Sequence, residues 1–141
     1  MNNTILITGG CGFIGSNFIK YILANTKYRK VINLDKLTYS GNLNNLLDIQ
    51  KDERYIFVKG DICDHNCVRN IFKEYHPNVV VHFAAESHVD RSIDDPQQFI
   101  QTNIIGTSVL LQESLDYYIH LNKPFRSKFK FHHISTDEVF G

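Results

Sequence analysis

The chain has 141 residues, of which 43% are apolar, and its 15 basic and 15 acidic side chains give a formal net charge of zero. This length fits one globular domain, and the neutral balance argues against a nucleic-acid or membrane-surface partner, since both require a positive field. No segment has the length and apolarity of a signal peptide or a transmembrane helix. We therefore expect a cytoplasmic protein.

The three cysteines are odd in number and form no C-x-x-C pair, which favours free thiols in a reducing compartment. Cys63, His65 and Cys67 lie close together, but their spacing matches no common zinc pattern. We expect no metal site.

Apolar runs and helical periods alternate along the chain. Strands are predicted at residues 4–8, 31–34, 55–58, 79–83 and 128–135. Helices are predicted at residues 13–25, near 46–47, at 66–75, and from 96 to about 121, where Asp95 is the expected N-cap. Residues 1–141 are thus one α/β domain, with a doubly wound parallel sheet expected in the order 3-2-1-4-5.

A glycine-rich turn joins the first strand to the first helix. Its sequence, Thr8-Gly9-Gly10-Cys11-Gly12-Phe13-Ile14-Gly15, satisfies G-x-G-x-x-G and also G-x-x-G-x-x-G. Glycines at these positions permit a tight turn, let the backbone approach a pyrophosphate and pack the helix on the sheet. The following helix N-terminus offers free N–H groups to phosphate oxygens. This context predicts a dinucleotide site.

Acidic residues follow the second and third strands. Asp35 lies about twenty residues after the last glycine of the turn, where a carboxylate accepts the ribose hydroxyls and repels a 2′-phosphate. NAD is therefore favoured over NADP, although Lys36 beside it leaves the phosphate preference open. Asp61 and Ile62 follow the third strand at the position expected for adenine.

A hydroxyl and two carboxylates follow the fifth strand, at Thr136, Asp137 and Glu138. Paired carboxylates can act as acid and base when their surroundings separate their pKa values. Neighbouring side chains on a regular strand point to opposite faces, so both can reach one substrate only if the backbone departs from strand geometry there.

Five segments together resemble the extended short-chain dehydrogenase/reductases, and within them the nucleotide-sugar 4,6-dehydratases. They are residues 8–15, 35–39, 60–62, 83–90 and 135–141. The resemblance covers the whole chain but only the N-terminal part of such an enzyme. It implies an incomplete Rossmann-type domain, without the C-terminal strands and the substrate domain.

The resemblance also implies roles for individual residues. The cofactor NAD would be bound by Gly9, Gly12, Phe13, Ile14, Gly15, Asp35, Lys36, Leu37, Thr38, Asp61, Ile62, Phe83, Ala84, Ala85 and Thr102. Ser87 and Thr136 would contact the sugar, with Asp137 as general acid and Glu138 as general base.

The implied reaction converts dTDP-glucose or UDP-glucose to the 4-keto-6-deoxy sugar. The family's Tyr-x-x-x-Lys pair has no counterpart on a helix within these residues, so we expect the 141-residue chain to be inactive alone. The full-length enzyme is expected to be a homodimer. A 4-epimerase or decarboxylase of the same superfamily, and a non-catalytic NAD-binding module, remain alternatives.

Overall fold

The structure, a computed structural model, describes residues 3–87, 93, 95–136 and 139. Five parallel strands form one sheet in the order β3-β2-β1-β4-β5. This confirms the predicted strand order. The strands are β1 (Thr4–Thr8), β2 (Lys30–Asp35), β3 (Tyr55–Lys59), β4 (Val79–His82) and β5 (Lys130–His133).

Helical segments connect the strands, and within the described ranges none is long and apolar enough to cross a bilayer. They are α1 (Phe13–Asn25), a 3₁₀ helix (Leu43–Ile49), α2 (His65–Tyr75), α3 (Pro96–Phe99), a π-helical segment (Ile100–Gly106), α4 (Thr107–His120) and α5 (Lys123–Arg126).

Both faces of the sheet are covered, as expected for buried parallel strands. Leu6 pairs in register with Ile32 and Val80, and all three pack into one apolar cluster with residues of α2 and α4. The alternate residues Ile5 and Ile7 point to the opposite face, where they pack against α1 and the 3₁₀ helix. The two clusters hold the carboxyl ends of β1, β2 and β4 side by side.

The long helix predicted from residue 96 to about 121 is wrong in one respect. It begins as predicted, since the Asp95 carboxylate accepts from Gln98 N at 3.3 Å, but seven residues from Ile100 to Gly106 adopt π-helical geometry. A π-helical turn is rare and often marks a functional position. β4 and β5 are also shorter than predicted, so residues 83–87 and 134–136 leave the sheet at its carboxyl edge.

Candidate functional site

The glycine turn packs tightly against the segment that follows β4. Gly9 has φ +71°, and a Cβ there would lie 2.6 Å from Ala84 N. At Gly15, a Cβ would overlap the carbonyl oxygen of Gly9, which brings the first turn of α1 against the loop. These glycines are therefore required by the chain's own packing.

Gly12 is different, because no contact with the described residues requires a glycine at that position. Its φ of −74° suits any residue, and an added Cβ would meet nothing closer than Gly9 O at 3.5 Å. Gly12 is also the N-cap of α1 and supplies no side-chain cap, although Ser, Asp or Asn would stabilise the helix there. The backbone N–H groups in the first turn of α1 therefore receive no side-chain cap from Gly12.

Phe13 and Ile14 follow in that first turn with 83% and 63% of their surface exposed. Backbone N–H groups at the start of a helix, together with the positive end of the helix dipole, suit a phosphate anion. Large exposed apolar side chains beside them suit a ligand that also carries rings. Phe13 and Ile14, which the sequence analysis assigns to cofactor binding, therefore lie exposed directly after the glycine turn.

Asp35 lies at the end of β2, beside the glycine turn, and is only 8% exposed. Its Oδ2 accepts from Cys11 N and its Oδ1 from Leu37 N, both at 2.8 Å. Leu37 adopts φ +59°, a left-handed conformation that costs a non-glycine residue about 1–2 kcal/mol. The carboxylate is thus fixed in position by backbone donors on both sides. The next residue, Thr38, is half-buried.

Lys36 and Asp61 form an ion pair across the ends of β2 and β3. Lys36 Nζ lies 2.6 Å from Asp61 Oδ2, while Asp61 Oδ1 accepts from Cys63 N at 2.9 Å. Burial raises the pKa of Asp61, but the Lys36 ammonium and the Cys63 N–H outweigh it, so the pKa lies below its usual value. Ile62 is buried, packing toward Gly106 in the π-helical segment. Its side chain therefore faces the core rather than the carboxyl edge of the sheet beside the glycine turn.

A buried hydrogen-bond relay connects β1, β4 and α4. Thr8 Oγ1 accepts from Ala84 N at 3.3 Å and lies 2.7 Å from His82 Nδ1, and His82 Nε2 lies 3.0 Å from Thr107 Oγ1. Among the described residues Thr8 has no other acceptor, so its hydroxyl donates to Nδ1. Nε2 then carries the ring proton and donates to Thr107. Burial, together with the nearby His133, lowers the pKa of His82 to about 4, so the ring is neutral.

The π-helical segment directs Asn103 toward the same loop. Asn103 Oδ1 accepts from Glu86 N and Asn103 Nδ2 donates to Glu86 O, both at 2.8 Å. The reciprocal pair fixes the amide orientation. Residues 83–86 are therefore held from one end by Thr8 and from the other by Asn103.

The remaining predicted residues lie in or next to this loop, in the π-helical segment, or after β5. Phe83 packs against Phe18 with ring centroids 5.1 Å apart, Ala85 and Ser87 are exposed, and Thr102 is half-buried beside Asn103. Thr136 is exposed just after β5. Asp137 and Glu138, the proposed acid and base, lie outside the described residues.

Sequence reasoning missed the side chains that position the loop rather than line it. Thr8, His82, Asn103 and Thr107 were not predicted, although a polar residue inside a buried strand, such as His82, was a usable signal. Among the residues of the dismissed zinc pattern, Cys63 donates to Gln101 O at 3.3 Å and His65 pairs with Glu113.

The sheet order, the glycine turn at the point where strand order reverses, and the fixed acidic residue after β2 define a Rossmann-type α/β protein. The sequence profile of the family described as GDP-mannose 4,6 dehydratase matches residues 6–141. The chain belongs to this family.

Individual relatives agree. The chain is 53% identical over 137 residues to a dTDP-glucose 4,6-dehydratase of Escherichia coli, a match that covers 97% of this chain and 38% of that relative. A dTDP-glucose 4,6-dehydratase of Bacillus anthracis, solved in complex with NAD, matches with 45% identity and a TM-score of 0.79 over 98% of this chain and 39% of that one. The Streptomyces venezuelae enzyme, also solved with NAD bound, matches with 42% identity and a TM-score of 0.86 over 98% and 41%. The chain thus spans about two fifths of the length of these relatives.

Proposed function

We propose that this chain is the NAD-binding part of a nucleotide-sugar 4,6-dehydratase. One observation carries the NAD site. Gly12 lacks a side chain at a place where the protein has room for one and where a helix cap would be stabilising, so the space is reserved for a ligand. The relatives of known structure that contain NAD support the choice of ligand.

The residues around the crevice fit the parts of such a ligand. The N–H groups of Phe13 and Ile14 would bind the pyrophosphate, and the fixed Asp35 carboxylate would accept the hydroxyls of the adenosine ribose. Asp61 and the Ile62 backbone would flank the adenine. The nicotinamide would lie against residues 83–85, with Thr102 on the facing helix.

Calorimetric titration of the purified chain with NAD tests the site through Gly12→Ala. The structure has room for this Cβ, and alanine is a poorer N-cap than glycine, so stability should fall by no more than about 1 kcal/mol. Affinity for NAD should fall at least about tenfold, which is about 1.4 kcal/mol, because the methyl group occupies the ligand's space.

Asn25→Ala is the matched control. It places alanine at the opposite end of the same helix, where the Asn25 side chain donates to Tyr21 O, and should leave NAD affinity unchanged. Equal affinity of Gly12→Ala and the unmodified chain, or no NAD binding at all, would contradict the proposal.

For the reaction, we propose that the acid and base follow β5. NAD held in this site would supply the hydride chemistry, in which a hydride leaves sugar C4 and is added at C6. The proton of the C4 hydroxyl would pass to the tyrosine of the family's Tyr-x-x-x-Lys pair, and Glu138 would return a proton to C5 when the hydride reaches C6. The C4 ketone acidifies the C5–H bond, so Glu138 can remove that proton as general base. Asp137 protonates the C6 hydroxyl, which leaves as water. Ser87 and Thr136 would hold the sugar.

Solvent deuterium distinguishes these two carboxylates in an enzyme that contains this chain and is active on dTDP-glucose or UDP-glucose. Product formed in D₂O should carry deuterium at C5. Glu138→Gln should suppress C5 exchange, while Asp137→Asn should slow water loss by roughly 10²–10⁴ yet retain exchange.

Retention of C5 exchange in Glu138→Gln would reject it as the base. The comparison of dTDP-glucose with UDP-glucose in the same assay decides the nucleotide. A product epimerised at C4 without loss of water would favour a 4-epimerase instead.

A further inference from the structure

The ion pair between Lys36 and Asp61 lies beside the carboxylate proposed to bind the adenosine ribose. Lys36 directly follows Asp35, and Asp35 pairs in register with Lys59, two residues before Asp61. The three charged side chains therefore come from the adjacent ends of β2 and β3. Of these three side chains, Lys36 is the cation.

Each carboxylate is fixed by backbone donors, so neither can turn away from the site. Asp35 accepts from Cys11 N and Leu37 N, and Asp61 accepts from Cys63 N while holding Lys36. The hydrogen bond to Asp61 and its negative charge raise the pKa of Lys36, so the ammonium stays charged and paired. The group carries two negative charges and one positive charge.

The net negative charge of this group affects which substituent the site can accept at the 2′ position of the adenosine ribose. A free 2′-hydroxyl can donate to Asp35, whereas a 2′-phosphate adds up to two negative charges next to two fixed carboxylates. A cation beside the ribose is the usual means of accepting that phosphate. Lys36 has the right position in sequence, but Asp61 neutralises it.

We propose that Asp61 determines the choice of dinucleotide by sequestering Lys36, so that the site selects a cofactor with a free 2′-hydroxyl. This inference rests on the proposed NAD site. It assigns to Asp61 a discriminating role separate from any contact with adenine. Because Lys36 is half-exposed, the pair is weak enough for a substitution to release the lysine without unfolding the chain.

The test is titration of the purified chain with NAD and with NADP. Asp61→Asn keeps the size of the side chain, removes one negative charge and frees the ammonium. The ratio of NADP affinity to NAD affinity should rise at least about tenfold, equivalent to about 1.4 kcal/mol.

A double-mutant cycle isolates the part played by Lys36. In a Lys36→Met background, which keeps the apolar stem, Asp61→Asn should change the ratio by less than about twofold, because there is no cation to release. Asp48→Asn is the control, since it breaks the exposed Lys20–Asp48 pair between α1 and the 3₁₀ helix and should leave the ratio unchanged.

The outcomes are separable. No NAD binding by the unmodified chain overturns the proposed function and this inference with it. NAD binding with an unchanged ratio in Asp61→Asn, or the same rise with and without Lys36, overturns this inference alone. Loss of both dinucleotides in Asp61→Asn would also overturn it, because the residue would then serve binding in general.

Discussion

The free energy of unfolding should decrease as the pH drops below 6.5, and replacing His82 with glutamine should make this decrease smaller. His82 is 1% exposed, and both of its ring nitrogens are engaged, Nδ1 as an acceptor from Thr8 and Nε2 as a donor to Thr107. Protonation of Nδ1 would place a second proton against the Thr8 hydroxyl. It would also bury a charge 5.1 Å from the ring centroid of His133.

The magnitude follows from the lowered pKa. In the unfolded chain the ring has its ordinary pKa of 6.5, whereas burial and His133 lower it to about 4 in the folded state. Above pH 6.5 both states are neutral, and His82 contributes no pH dependence. Between pH 6.5 and 4 only the unfolded state takes up the proton, so stability falls with pH by up to about 1.4 kcal/mol per pH unit. Below the folded pKa the loss levels off near 3 kcal/mol.

Urea unfolding of the two proteins at pH 7 and pH 5 measures this contribution. His82→Gln retains an amide that can donate to Thr107 but cannot titrate. The unmodified chain should lose about 2 kcal/mol more than the variant over this interval. The difference between the proteins removes the contributions of carboxylates such as Asp61 and Glu113, whose lowered pKa values also make folding less favourable in acid.

A second variant separates titration from general loss of stability. Val68→Ala creates a cavity in the cluster beneath α2, so it should lower stability equally at both pH values. Parallel losses in the unmodified chain and in His82→Gln would refute the neutral, doubly bonded ring.

Two further predictions concern the helices that follow β4. Asn103→Ala should lower the free energy of unfolding by about 1–3 kcal/mol, because it leaves the part-buried N–H and C=O of Glu86 without their partner. Urea unfolding measures this loss, and a loss below about 0.5 kcal/mol would contradict a structural role for the two hydrogen bonds between Asn103 and Glu86. Leu111 and Leu115 are 47% and 53% exposed and line an apolar groove on α4, so we propose that this face pairs two copies of the protein. Leu115→Glu should reduce self-association in analytical ultracentrifugation, the exposed Lys51→Glu should not, and a monomer at high concentration in the unmodified chain would contradict the pairing.

Strand order could be predicted because it depends on information that lies along the sequence. Apolar runs at residues 4–8 and 79–83 are long enough to identify buried parallel strands, and glycines at one strand end locate the crossover. The π-helical segment could not be predicted in this way. The segment contacts residues far away in the sequence, with Gly106 against Ile62 and Asn103 against Glu86, while residues 96–121 have the local pattern of an ordinary helix.

The same limit applies to the candidate site. The role of Asp35 could be predicted from its distance in sequence from the glycines. The ion pairing of Lys36 could not, because its partner Asp61 follows the neighbouring strand β3. The sequence shows Lys36 beside Asp35 and leaves the choice between NAD and NADP open. The register of β2 with β3 adds the pairing to Asp61, which turns that open question into a measurable one.

The loop after β4 shows how these distant contacts combine. Gly9 lets the turn approach Ala84 closely, the Thr8 hydroxyl accepts its N–H, and Asn103 fixes Glu86 two residues later. The three contacts come from the glycine turn, the end of β1 and the π-helical segment, so a shift in any one of them moves the same backbone. A loop fixed from three sides before a ligand arrives loses less conformational freedom when the ligand binds. In the proposed site, residues 83–85 would therefore offer the nicotinamide ring a preorganised backbone, although Phe83, Ala84 and Ala85 carry no acidic or basic side chain.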